Sequence, residues 1–235
     1  MFLLCALAIT AADVSSIPLS VEKSIALRWQ ATLMDRFYSQ ISVKGMHVFS
    51  GANASRDYCS WTGITCTDGI ITHVYHGISN YGNFDIHSLP STLVNITIEY
   101  CDQRYILCTR ALPRALEHCY LPQNRHFGSV DLRTLPENLI GLDLSFNLLN
   151  GPIDLTNLPP TLQTLALERN AIRQSVVFYD RPPPNIHSIT LFSYTHPKNR
   201  IGELRALGLK DLDRVREIFV NFPSNHVSLA STMML

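Results

Sequence analysis

Residues Leu135–Asn157 read LPENLIGLDLSFNLLNGPIDLTN. Within them Leu139, Leu142, Leu144 and Asn147 form the pattern L-x-x-L-x-L-x-x-N. Side chains two apart on a strand share a face, so Leu142 and Leu144 point together into a core. Asn147 stands where the chain must turn, and its carboxamide can both donate to and accept from backbone groups that a turn leaves unpaired. Gly151-Pro152 punctuates the return. The unit recurs: Leu-Pro stands at Leu89, Leu112, Leu135 and Leu158, each 23 residues after the last. Three apolar columns follow at the same spacing: Leu93, Leu116, Leu139, Leu162; Ile96, Cys119, Leu142, Leu165; and Ile98, Leu121, Leu144, Leu167. The turn column is Cys101, Asn124, Asn147, Asn170, and the return arm repeats as Phe84-Asp85-Ile86, Val130-Asp131-Leu132 and Ile153-Asp154-Leu155.

This period identifies leucine-rich repeats, whose units run about 20–29 residues. The expected fold is an α/β repeat solenoid of about five or six coils over residues 71–193, with a parallel sheet on its concave side. Strands about 4.8 Å apart make that sheet roughly 25 Å wide. Its final coil is looser: Pro182-Pro183-Pro184 replaces Leu-Pro, and Ile186, Ile189 and Leu191 fall one residue late.

The chain has 235 residues, 46% of them hydrophobic, with 19 basic and 19 acidic side chains. A net charge of zero lacks the basic footprint of a nucleic-acid binder. Residues 1–12 begin MFLLCALAIT and end on Ala11-Ala12, the form of a secretory h-region with small residues at the cleavage point. That run is too short to span a bilayer. Ser20–Ser39 reads as an amphipathic helix, with Ser20 as its cap and Ile25, Trp29, Leu33 and Phe37 as its apolar stripe, broadened by Ala26, Met34 and Tyr38. Ile71–His76 reads as a degenerate first strand, which sends His73 and His76 to opposite faces and so away from a shared metal.

Cys59-Ser-Trp61-Thr-Gly63-Ile-Thr-Cys66 follows the helix. A helix and then C-x-W-x-G-[IV]-x-C resembles the N-terminal cap of plant-type leucine-rich repeat ectodomains. The Leu-Pro-x-x-Leu opening and 23-residue period are also similar to surface leucine-rich repeat proteins of kinetoplastid protists. The resemblance implies that residues 20–70 form a helical cap, that Cys59 and Cys66 are disulfide-bonded, and that Trp61 packs on the bridge. A zinc site is disfavoured, because six residues intervene and no second pair stands nearby. Among the remaining cysteines, Cys119 lies in a core column. A Cys101–Cys108 bridge is one pairing the spacing allows, although connectivity cannot be deduced from sequence. Asn53 and Asn95 match the N-glycosylation pattern, Asn53 in a loop and Asn95 on a strand. Residues 201–222 read as a C-terminal covering helix, with Leu212, Val215, Ile218, Phe219 and Phe222 at helical spacing.

No phosphate loop, zinc-protease motif or nucleophile elbow is present. Asp131 and Asp154 occupy equivalent repeat positions, so the period explains them without catalysis. The expectation is a non-catalytic, secreted or cell-surface recognition module without cofactor or metal, binding protein or glycan on the concave face. A surface-coat protein and the truncated ectodomain of a receptor are the alternatives, with an enzyme inhibitor a further one. The residues between the core leucines form three outward columns: Thr97, Tyr120, Asp143, Ala166; Glu99, Pro122, Ser145, Glu168; and Tyr100, Gln123, Phe146, Arg169. Within them Tyr100, Tyr120, Asp143, Phe146, Glu168 and Arg169 are the candidate contact residues, since aromatics and arginine dominate binding hot spots.

Overall fold

A computed structural model describes residues 19–51, 55–193, 198–207 and 217–229. The apolar start at 1–12, Asn53 and residues 208–216 lie outside these. Helix α1 (Leu19–Phe37), strand β1 (Gln40–Ile41) and helix α2 (Val43–Ser50) open the chain, followed by β2 (Ile64–Thr67), β3 (Ile70–Gly77) and β4 (Gly82–Asn83). Then come β5 (Asn95–Glu99), β6 (His118–Tyr120), β7 (Phe127–Gly128), β8 (Gly141–Asp143), β9 (Leu148–Leu149) and β10 (Thr164–Ala166). The last are β11 (Arg173–Tyr179), β12 (Ser188–Thr190), β13 (Arg200–Ala206), β14 (Phe219–Val220) and β15 (Val227–Leu229).

The main sheet has eight strands in the order β14-β12-β10-β8-β6-β5-β3-β2. All its pairs are parallel except the β2–β3 hairpin. The register follows the sequence columns: Ile96 faces Cys119, Cys119 faces Leu142, and Leu142 faces Leu165. The late coil takes the shift the sequence showed, with Leu165 opposite Ile189. The core leucines Leu139, Leu142 and Leu144 are at most 1% exposed.

The asparagine column stitches coil to coil. Asn147 Oδ1 accepts from His126 N at 3.0 Å, and its Nδ2 donates to Leu121 O in the preceding coil and to Leu144 O in its own. Asn124 and Asn170 repeat the arrangement. Asn199 takes it up again, accepting from Ile172 N and donating to Leu167 O. The solenoid therefore continues past Ser193. Six extra residues separate Asn199 from the 23-residue register, which hides it from a period search.

Four expectations are corrected. The sheet extends beyond residue 193: six parallel strands fall in the expected range, and β14 adds a seventh past it. Residues 201–206 belong to strand β13, not to a helix. There Leu204 and Ala206 are buried and alternate with more exposed neighbours, and β13 pairs between β11 and β15 in a second parallel sheet. Phe219-Val220 likewise pairs with β12 as a strand. Ser20 lies within helix α1 (Leu19–Phe37), where the sequence suggests a cap.

The fourth correction concerns the roll of α1. Met34, Phe37 and Tyr38 of the expected stripe are buried, but Ile25 is 45% and Trp29 65% exposed, and Gln30 is buried instead. Gln30 decides this. Its Nε2 donates to Gly69 O at 3.0 Å and its Oε1 accepts from Ile71 N at 2.8 Å, satisfying backbone groups of the β2–β3 hairpin. With Gln30 held against that hairpin, Ile25 and Trp29 turn outward.

At this end of the solenoid Phe37 stacks on Phe84 at 5.1 Å, and Tyr38 packs on Trp61 at 4.8 Å. Trp61 also meets Tyr58 at 4.6 Å and donates from Nε1 to Ser55 O at 2.9 Å. Cys59 and Cys66 are joined by a disulfide, their Cα atoms 5.6 Å apart. Cys101, Cys108 and Cys119 are free thiols, so the Cys101–Cys108 pairing is not made. Cys119 lies in the core, where burial pushes its thiol up to about 12.

Candidate functional site

The open face of the main sheet is built from the residues between the buried columns. Successive side chains on a strand alternate faces, so burying Ile96 and Ile98 obliges Thr97 and Glu99 outward. The turns after β5, β6, β8 and β10 each hold a residue in the left-handed region: Tyr100 at φ 53°, Gln123 at 54°, Phe146 at 56° and Arg169 at 57°. Ile78, at φ 49°, starts this row one coil earlier. Non-glycine residues seldom adopt this conformation, and a row of them is maintained only where the surroundings over-determine it. The same holding contact recurs in three of these coils. Ile78 N donates to Glu99 O, Gln123 N to Ser145 O, and Phe146 N to Glu168 O, each at 3.0 Å. The asparagine side chains fix the next residues of the turn.

On this scaffold the aromatic side chains are positioned individually. Tyr120 lies opposite Asp143 in the register. Its hydroxyl is 2.9 Å from His118 Nδ1. Its ring crosses Gly141, where an added Cβ would come within 2.5 Å of the hydroxyl oxygen. The hydrogen of Gly141 leaves the Tyr120 ring this position, which a methyl group there would displace, and Gly141 has no positive φ of its own. Tyr100 receives a hydrogen bond from Gln123 Nε2. Arg169 Cζ sits 4.5 Å from the centre of the Phe146 ring, and its Nε donates to Ser193 Oγ at 3.2 Å.

The acidic residues of the face differ in environment. Asp143 Oδ1 accepts from Ser145 N at 2.8 Å. Glu168 is half-buried, and desolvation raises its pKa, assisted by the charge of Asp143. Glu168 Oε2 is shielded from solvent without a hydrogen-bond partner. Asn95 opens β5, flanked in the register by His73 and His118, and its Oδ1 is shielded from solvent, an enclosed position for a glycosylation acceptor.

The structure thus brings Phe146 to Arg169 and Tyr120 to Asp143, with Tyr100 one coil before Tyr120. It adds residues the sequence reading passed over. Tyr75 is 54% exposed, extends the Thr97–Tyr120 column and donates to Glu99 Oε1 at 3.0 Å. His118 orients Tyr120. The signal for Tyr75 was a spacing of 22, since Val74-Tyr75-His76 faces Ile96-Thr97-Ile98. His73 and His76 do take opposite faces, the first exposed and the second buried. Asp131 and Asp154 lie on the return arm, where each carboxylate accepts the backbone N–H two residues on. Among the described residues no cluster of His, Cys, Asp and Glu could hold a metal. No helix there is long and apolar enough to cross a membrane.

Neither a protein-family model nor a curated protein sequence matches this chain. Solved structures do. A pollen receptor kinase 3 structure matches with a TM-score of 0.59 and 17% identity, over 85% of this chain and 92% of that one. A plant ice-binding protein matches with a TM-score of 0.54 and 20% identity, over 76% of this chain and 57% of that one. The leucine-rich repeat ectodomain of the receptor kinase GASSHO1/SCHENGEN3 from Arabidopsis thaliana, solved with Casparian strip integrity factor 2, matches with a TM-score of 0.51 and 16% identity. That match covers 75% of this chain and 24% of the other. At these identities the likeness establishes the fold: a parallel β-solenoid of the kind found in plant leucine-rich repeat ectodomains.

Proposed function

We propose that this chain is a non-catalytic extracellular or cell-surface recognition module that binds a protein or glycan partner on the open, concave face of its sheet. The observation that carries the reading is the row of positioned aromatics, Tyr75, Tyr100, Tyr120 and Phe146, on one face. Tyr75 and Tyr100 are each more than half exposed. Exposed rings contribute nothing to the core, and scattered ones need no explanation. These are not scattered. One crosses a glycine that leaves it room, and two follow from backbone held at positive φ. The helices and disulfide at the N-terminal end serve as a cap for the first coil, and the disulfide fits an oxidising compartment.

The test compares wild type with Tyr120→Ala/Phe146→Ala/Arg169→Ala in partner capture from the native extracellular fraction. Gly141→Ala is the second variant, because its methyl group displaces Tyr120 without touching the leucine columns. With folding checked by circular dichroism, both variants are expected to lose the captured partner. Undiminished capture by both would move the site to the return arms or the cap.

A further inference from the structure

We infer that the second sheet carries, at the start of β11 and β13, a binding site for a phosphate or sulfate monoester, independent of the open face. Arg173 opens β11 and Arg200 opens β13, and they are register partners in this parallel pair. Register partners share a face and stand about 4.8 Å apart, so the two side chains leave the backbone side by side. Like charges placed opposite each other on neighbouring strands destabilise the pairing. Both side chains are exposed, and among the described residues neither makes an ion pair. Elsewhere on the turns and return arms Arg125 is relieved by Asp102, Arg133 by Asp131 and Arg205 by Glu203. Arg173 and Arg200 are left facing each other.

The space beside them is open. A groove of about 510 Å³ is lined by Arg173, Gln174, Ser175, Arg200, Ile201 and Gly202, with no carboxylate among them. Gln174 is turned away, its Nε2 donating to Ile153 O and Val176 O. Gly202 brings no side chain, and could bring none, because an added Cβ would lie 2.7 Å from Ser175 O. The groove is thereby left to the two guanidiniums and the exposed Ser175. Further basic groups stand nearby: Lys198 is exposed two residues before Arg200, and His226 Nδ1 donates to Gly202 O at 2.8 Å. Glu203, three residues past Arg200, is held by Arg205 at 2.7 and 3.2 Å and so is no counter-ion to the pair.

The arrangement selects among anions. A guanidinium presents its N–H donors as a planar fork that matches two oxygens. A carboxylate has only two oxygens and is filled by one fork. A phosphate or sulfate monoester has three free oxygens around a tetrahedral centre, which lets it accept from both forks at once. Its negative charge also removes the repulsion that the register imposes on the two arginines. The open groove leaves the fourth, bridging oxygen a way out to whatever molecule carries the ester.

The experiment follows the arginine Nε–H signals of the ¹⁵N-labelled chain by NMR, assigned with Arg173→Gln and Arg200→Gln. Methyl phosphate, methyl sulfate, inorganic phosphate and acetate are each added at constant ionic strength. Both esters are expected to move the Arg173 and Arg200 signals along one shared binding curve, about ten-fold or more tighter than acetate. Either glutamine variant should weaken ester binding about ten-fold, the loss of one charge-assisted fork. Arg200→Lys should weaken it as well, because an ammonium has no fork. The control Arg36→Gln, an exposed arginine in the last turn of α1, should have no effect. Since neither arginine is paired within the chain, both glutamine variants should keep the wild-type denaturant midpoint in buffer free of these anions, which separates lost binding from lost fold. Acetate binding as tightly as the esters would overturn the inference. So would an Arg200 signal that titrates unchanged in Arg173→Gln, or a site that takes inorganic phosphate and refuses both esters.

Discussion

Leu144 shows what a single position in such a chain carries. It is fully buried in the third apolar column, between Leu121 and Leu167, and belongs to the most regular unit of the sequence. Truncating a buried leucine removes its transfer free energy and leaves a cavity that neighbours fill only in part. Leu144→Ala is expected to cost about 2–5 kcal/mol, measured as a fall in the denaturant midpoint. An unchanged midpoint would contradict both the register and the burial. This position was legible from the sequence because a leucine fits the column wherever the 23-residue spacing puts one. Gly141 was not legible in the same way. Its role is to leave room for the ring of Tyr120 on the preceding strand, and a pattern of apolar columns carries no information about which outward side chain leans across which neighbour. Nor could the positive φ of Tyr100, Phe146 and Arg169 be read, since none is a glycine or asparagine.

Among the elements, the N-terminal packing departs furthest from its sequence reading. An amphipathic stripe fixes a helix's period but leaves its roll open when polar groups can also be buried. Gln30 takes up two backbone groups of the hairpin and sets the roll that Ile25 and Trp29 suggested otherwise. The helix α2 escaped notice for a related reason. It is eight residues long and capped by Ser42, whose side chain accepts from Gly45 N, so it lacks the length over which periodicity becomes visible.

The same region has a pH dependence. His76 stands in the inward column between Tyr38, whose hydroxyl is 2.9 Å from Nε2, and Phe84, which stacks on it at 4.5 Å. Burial lowers its pKa to about 4. Because the folded value lies below the unfolded one near 6.5, the unfolded chain takes up a proton first as pH falls. The stability contributed by neutral His76 is therefore complete above about pH 6.5, is lost progressively down to about pH 4, and changes no further below that. The loss amounts to roughly 3 kcal/mol from this group. His126, also buried and lowered to about 3, acts in the same direction. Denaturant unfolding at a series of pH values should show a shallower slope over this window in His76→Gln than in wild type. Equal slopes would mean that His76 is hydrated in the folded chain.

For the whole molecule, stacking explains both the strength of the sequence signal and its end. Each coil buries its apolar columns against its neighbours, so the leucine spacing persists as long as consecutive strands keep one register. Where six residues are added before Asn199 the spacing breaks, yet the stacking continues through β12 and β14 with a second sheet of β11, β13 and β15 on the return arm. The fold was therefore readable over the regular coils and unreadable beyond them, because the insertion alters the count without altering the packing. The candidate face was readable as columns, whereas the alignment of Tyr75 with Tyr120 required the register of β3. Amide hydrogen exchange on the chain with and without its captured partner locates the binding face directly. Recognition through the open face predicts protection concentrated at residues 118–123 and 141–146, with the return-arm segments 127–134 and 148–156 unchanged. Protection confined to those return-arm segments would contradict it.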